Sequence, residues 1–402
     1  MFTFVHDSAN LSIDELKVGK VLKMRRESGT WRHQLEGYTA FVPHDLPPTP
    51  PIVFDDELWV LNSNADRALG KLNGSIEALP NPELFVFMYI RKEAVLSSQI
   101  EGTQASLGDV LEVEAQIFDP TRPDDTEEIL NYIAALNYGL DRLDTLPLSM
   151  RLIREIHKEL MRGVRGQHAT PGEFRVSQNW IGPAGAGLKS ASFVPPPPSE
   201  LPRLLGALES YLHVQDGLPL LVRLGLIHAQ FETLHPFLDG NGRMGRLLIA
   251  FCLCQQQELG KPVLYLSHYL KRNRARYYDL LQATRTDGAW EEWLKFFLRG
   301  VAEVANEAAE TARKIVQMRE AHRDGLISVL GRSAGNGLKL LESLYRHPIF
   351  TVAYVAEHLD ISVQAANNLV ERLVSMELVQ ETTGNKRNRI FRYHSYVALF
   401  SD

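Results

Sequence analysis

Cysteine is scarce: the 402 residues hold two, Cys252 and Cys254. They stand two apart in an apolar run, where a disulfide across a helix is geometrically implausible. No partner cysteine or histidine lies at ligand spacing, which argues against a zinc site. Both are expected as buried free thiols of a cytoplasmic protein. No run reaches the ~20 apolar residues of a spanning helix. The opening MFTFVHDSANLSIDELK lacks the basic and apolar regions of a signal peptide, so no membrane partner is expected. Positive charge is also short. The net charge of -6 excludes a chain dominated by nucleic-acid affinity, while leaving room for a local basic patch.

What is present is a globular composition, 45% hydrophobic and 23% charged, in a length that favours two or three domains. Helical periodicity prevails, so the expected fold class is mainly α. Residues 1–55 are poorly periodic and end in a proline cluster (Pro43, Pro47, Pro48, Pro50, Pro51) that predicts an extended arm. Helical spacing follows over 56–79, 82–100, 107–116, 126–143, 149–162, 199–214, 218–234, 243–257, 271–284 and 289–315. Between 172 and 198, Phe174-Arg175-Val176, Asn179-Trp180-Ile181, a Gly/Ala turn and Ser192-Phe193-Val194 predict a β-hairpin. After 337, three short helices and a hairpin over 378–383 and 389–393 sketch a winged helix. The expected units are an N-terminal arm and helical segment over 1–110, a core over 111–300, a linker helix over 301–334 and a winged-helix domain over 335–402.

The run His235-Pro236-Phe237-Leu238-Asp239-Gly240-Asn241-Gly242-Arg243-Met244-Gly245-Arg246 carries the chemistry. It joins two predicted helices, so Gly240-Asn241-Gly242 lies at a helix N-terminus, where free N–H groups and the helix dipole bind phosphate. Glycine lets the backbone approach the oxygens. Asp239 beside that nest suits Mg²⁺, a hard ion that shares its shell with phosphate. Arg243 and Arg246, three apart, share a helix face and can grip a polyphosphate. His235, with an ordinary pKa near 6.5, is a credible general base. Phe237 serves as the loop's anchor. Each feature alone is unremarkable turn or surface chemistry; together they are not.

This run resembles the signature of the Fic family, His-Pro-Phe-x-x-Gly-Asn-Gly-Arg-x-x-Arg, at all eight fixed positions. The resemblance implies a Fic-type helical core with a β-hairpin flap. It also implies a protein adenylyltransferase, an enzyme transferring AMP from ATP to a Ser, Thr or Tyr hydroxyl of a target protein. On that reading His235 deprotonates the hydroxyl and Asp239 holds Mg²⁺. Gly240, Asn241 and Gly242 hold the α- and β-phosphates. Arg243 contacts the β-phosphate and Arg246 the γ-phosphate. ATP is the co-substrate.

Ser97-Ser98-Gln99-Ile100-Glu101-Gly102 is similar to the family's inhibitory motif, with Ser97, Glu101 and Gly102 at the matching positions. A carboxylate paired with Arg246 would take the place of the γ-phosphate. The segment over 172–198 resembles the family flap, with Ile181, Ser192 and Phe193 at its ends, able to accept a target segment as an added strand. Tyr277 matches the aromatic that borders adenine in relatives, though a plain core role fits it nearly as well. Arg285 stands where relatives often have Asn. In the tail, Gln364, Asn367 and Asn368 on one helix and Lys386, Arg387, Arg389 and Arg392 in the wing could touch a phosphate backbone, or the domain could dock a protein. The same site could instead remove AMP or transfer another nucleotidyl or phosphoryl group. Alternatively, the chain is a winged-helix DNA-binding regulator with a Fic-like sensor. Self-modification and a homodimer also fit the resemblance.

Overall fold

The computed structural model describes residues 26–79, 81–163, 170–183, 185, 187–385 and 387–400. Expectations for residues 1–25, for Lys386 and for two positions of the flap turn lie outside these described residues.

The expected arm is a hairpin. β1 (Gly29–His33) pairs antiparallel with β2 (Thr39–Pro43), and Trp31 packs on Phe41 with ring centroids 4.9 Å apart. These β-branched and aromatic residues suit a pleated surface, a preference that the proline cluster masks in the sequence. Arg26 fastens the segment to the body, bonding the carbonyls of Pro50 and Pro51 and pairing with Glu291 at 2.8 Å.

Capping residues start several helices. The Asp55 side chain accepts from Leu58 N–H to open α1 (Asp56–Glu77), and Leu58, Ala65, Leu69, Leu72 and Ile76 bury the face that runs against the long helix α11 (Trp290–Leu330). α2 (Glu83–Ile100) follows, then α3 (Leu107–Glu114), opened by a Ser106/Asp109 capping box. α4 (Thr126–Leu143) and α5 (Met150–Leu160) pack together, and α6 (Leu201–Leu212) lies beyond the flap.

α7 (Leu220–Leu234) and α8 (Asn241–Gln255) are apolar nearly all round and buried along most of their length, as central helices must be. The helix expected over 271–284 is two, α9 (Ser267–Arg272) and α10 (Arg274–Thr286). Asn273 breaks it by donating its side-chain amide to Tyr269 O. The helix expected over 289–315 and the linker helix expected over 301–334 are one continuous helix, α11, closed at Gly331 with φ 54°. Leu326 and Leu330 are buried, which keeps its second half helical.

α12 (Ala334–Leu344), α13 (Val352–Leu359) and α14 (Val363–Ser375) then pack with a sheet of order β3-β5-β4, formed by β3 (Ile349–Thr351), β4 (Gln380–Glu381) and β5 (Ile390–Arg392). β3 is a strand the sequence reading lacked. On α14, Gln364 bonds Asn368, while Arg389 bonds Asn367 and pairs with Glu371. After α15 (His394–Ala398), Phe400 reaches back to Phe85 of α2, ring centroids 6.4 Å apart. Among the described residues no helix is long and apolar enough to cross a membrane.

Trp293 knits α7, α10 and α11 together. It is fully buried, bonds Gly225 O at 2.8 Å and packs against His228 and Tyr277. Trp293→Ala is expected to cost about 3–5 kcal/mol of folding stability, read as a lowered urea midpoint.

Candidate active site

The turn between α7 and α8 is held from four sides. His235 ends α7 in the left-handed region, φ 46°. Its carbonyl accepts from Arg175 Nε at 2.9 Å and Asn179 Nδ2 at 3.2 Å. Phe237 is fully buried, and the His157 ring stacks on it at 3.6 Å. The Asn241 side chain turns inward and clamps Phe237, accepting its N–H and donating to its carbonyl, both at 2.8 Å.

His157 reads out its own tautomer. Gly172 N–H donates to Nδ1 at 2.9 Å, so the proton sits on Nε2, which donates to Asp239 O at 3.0 Å. Burial pushes its pKa down to about 4, consistent with a neutral ring. Gly240 beside it has φ 75°, and a Cβ there would lie 2.8 Å from Met161 Sδ. Asp239 is exposed next to this turn and accepts Gly240 N–H at 2.6 Å through one oxygen.

Both arginines of α8 are buried. Arg243 pairs with Glu128 of α4 at 3.2 Å. Arg246 Nε donates to Ser97 Oγ at 2.8 Å, and Nη2 donates to Ser97 O at 3.0 Å and Glu101 Oε1 at 2.7 Å. A Cβ on Gly242 would overlap Glu101 Oε1, so the carboxylate rests against the first turn of α8. Burial alone would raise the Glu101 carboxyl; Arg246 outweighs it and holds it below the usual carboxylate range. Gly102, φ 106°, ends α2 just beyond.

These residues border one cavity of about 650 Å³. His235, Gly240, Asn241, Gly242, Arg243, Arg246 and Asp239 form one wall, and Tyr277 and Arg285 stand on another. Ile181, Ser192 and Phe193 lie at the flap. Ser97 stands outside the cavity, behind Arg246. The expected hairpin is reduced to one bridge, Ile181 to Phe193, with N–H···O bonds of 2.8 and 3.0 Å. Pro183 and Pro195 cannot donate, so the ladder stops there. One flap edge is already taken: Phe41 of β2 donates to Val194 O at 3.0 Å.

Tyr277 is buried with its hydroxyl 2.9 Å from His228 Nε2, while His228 Nδ1 donates to Gly245 O. It is thus both core and cavity wall. Burial, with Arg285 and Arg175 close by, pushes the His235 pKa down to about 4. Burial also raises Glu232, three residues earlier on the same wall, to about 7. The sequence reading assigned no role to His157, Arg175, His228 or Glu232. Nothing local distinguishes them from helix and loop polar residues; only burial does.

A profile of the Fic/DOC family N-terminal region matches residues 59–141, and one of the Fic/DOC family matches 147–253. The chain carries a Fic/DOC family domain over 147–253, preceded by a Fic/DOC N-terminal domain over 59–141. It is 31% identical over 193 residues to Protein adenylyltransferase Fic of Aedes aegypti, covering 46% of this chain and 34% of that protein. The corresponding Drosophila grimshawi protein is 30% identical over 192 residues, covering 46% and 35%. The chain thus spans about a third of the length of these relatives. A Fic family protein from Desulfovibrio desulfuricans has the same fold, with TM-score 0.56 and 19% identity over 85% of this chain and 97% of that one.

His228, buried behind the cavity wall, and His235, half-buried on it, should stay neutral well below the ordinary range. In a histidine-resolved NMR titration, His228 and His235 are expected to protonate near pH 4, both remaining neutral at pH 5.5.

Proposed function

We propose that the chain is a Mg²⁺-dependent protein adenylyltransferase held in check by Glu101. The observation that carries this reading is the Glu101 carboxylate lodged on Arg246 and against Gly242: a cavity built for an anion holds one of its own. The naming of its relatives as protein adenylyltransferases supports the same reading.

The chemistry needs one base and much positive potential. A neutral His235 takes the proton of a target hydroxyl, whose oxygen attacks the α-phosphorus. The bond to the β-phosphate oxygen breaks and pyrophosphate leaves. The N–H groups at the head of α8 hold the phosphates, and Arg243 and Arg246 neutralise the leaving group. Asp239 fits a Mg²⁺ ligand because it is exposed beside the nest, with one oxygen fixed by Gly240 N–H and the other facing no donor. The ion would lower the charge on the phosphates there. Tyr277 walls the base, and Ile181, Ser192 and Phe193 guide the target segment. With Glu101 on Arg246, the γ-phosphate has no partner and ATP lies wrongly for in-line attack. Ser97 holds the other side of that guanidinium. Gly102 lets the chain leave α2 at once, keeping Glu101 as the cap of that helix.

The C-terminal helices and sheet have a winged-helix arrangement. With Arg389 neutralised by Glu371, they favour a protein partner over DNA. Two free cysteines suit a cytoplasmic setting.

Glu101→Gly is expected to raise AMP transfer on the order of 10-fold or more, since each ~1.4 kcal/mol of lost inhibition is tenfold. Label from α-³²P-ATP should stay on protein while γ-label does not. Retained γ-label would mean phosphotransfer, and an unchanged rate would sink the brake. Adding His235→Ala should then cut the rate by about 10²–10⁴.

A further inference from the structure

We propose that Arg175 and Arg285 are positioning residues for this reaction, clamping the last turn of α7 to the flap and so fixing where His235 stands. The inference rests on the AMP-transfer reading for its kinetic arm alone.

A helix ends in carbonyls that have no partner within the helix, and α7 ends in the residue that must be aimed. Arg175 supplies the donors. Its Nε bonds His235 O at 2.9 Å, and Nη2 bonds Pro196 O at 2.6 Å and Leu234 O at 3.4 Å. Nη1 bonds Ser177 O at 3.3 Å, and its backbone N–H bonds Pro236 O at 2.9 Å. One guanidinium thus ties both roots of the flap, at Ser177 and Pro196, to the carbonyl of His235. Arg285 does the same from α10. Its Nη2 bonds Glu232 O at 3.2 Å, its Nε bonds Thr233 Oγ1 at 3.0 Å, and its guanidinium lies 3.9 Å from the centre of the Phe193 ring in the flap.

Both side chains are buried, and neither forms an ion pair among the described residues. A buried cation without a carboxylate is expensive unless oriented dipoles replace one. The C-terminus of α7 is such a dipole, and its negative end takes both cations. The arrangement also holds His235 in a left-handed conformation that a non-glycine residue leaves when freed.

The charged groups facing His235 are Arg285 from α10, Arg175 from the flap root, Glu101 from α2 and Glu232 from α7. Asp239, Arg243 and Arg246 line the same cavity from the turn and α8. The two clamping arginines disfavour the imidazolium and keep the ring in its basic form. Lysine would keep the charge but not the fork. Geometry and electrostatics can therefore be separated by substitution.

The test uses the full chain carrying Glu101→Gly, with Arg175→Lys, Arg175→Met, Arg285→Lys or Arg285→Met added. Three quantities are read: kcat for AMP transfer, the dissociation constant for ATP, and the NMR titration of His235. The Met variants should lose on the order of 100-fold in kcat, while ATP affinity stays within about 3-fold. Their His235 midpoint should move up from about 4 toward the ordinary 6.5. The Lys variants should lose about 10-fold in kcat with the midpoint still low. Unchanged kcat in the Met variants, equal losses in kcat and ATP affinity, or an unmoved His235 midpoint would each overturn the proposal. If a Met variant does not fold, the Lys variant carries the test through its split of kcat from ATP affinity. If the Glu101→Gly parent binds ATP but transfers no AMP, the functional reading fails, while the titration still decides the clamp.

Discussion

A buried guanidinium must be met by something, and Arg246 sets that demand for the whole cavity. It projects from α8 into the space between α2 and α7, 4% exposed, and α2 answers with Ser97 and Glu101. Breaking a buried pair by removing one partner costs about 3–5 kcal/mol when both charges are enclosed. Here the enclosure is one-sided, because the Glu101 side chain is 38% exposed toward the cavity. The full penalty is therefore not reached. Arg246 stays where it is whatever happens to Glu101, and it accepts any anion that arrives along the same line. On the proposed reading, substrate and inhibitor share a counter-ion that cannot move out of the way.

α2 itself is held on several sides. Arg91 pairs with Glu114 of α3, the buried Glu93 bonds Ser267 and Tyr132, and Phe85 meets Phe400 at the far end of the chain. Moving the helix as a body would uncover all of these groups. Turning one side chain at its cap uncovers none of them. The economical route by which Glu101 clears the cavity is a rotamer change, with α2 left in place.

The reacting groups were legible because they are contiguous. A base, a nest and two arginines within one turn and one helix need no long-range folding to be recognised, and Ser97 and Glu101 became legible once Arg246 had a role. Asp55, Ser106, Ser149 and Ser362 cap their helices through equally local bonds. What stayed hidden depends on distant partners. His157 meets Asp239 across 82 residues, Arg175 meets His235 across 60 and His228 meets Tyr277 across 49. Read locally, each is a polar residue among others. The pairing of β1 with β2 and the break at Asn273 were hidden likewise, because aromatic packing and one side-chain amide decide them.

Gly242 has a consequence for selectivity. The missing Cβ that opens the head of α8 to an approaching oxygen is the same gap through which the Glu101 oxygen enters. Any side chain there would shut out both visitors together. Shape therefore cannot tell the carboxylate from a phosphate at this point. The contest is decided by valence and tether: a multiply charged, diffusible guest against a singly charged group that is always at hand. Under the proposed function, occupancy follows the concentration of the free guest, and the site would behave as a threshold detector whose set point is the affinity difference between two oxyanions.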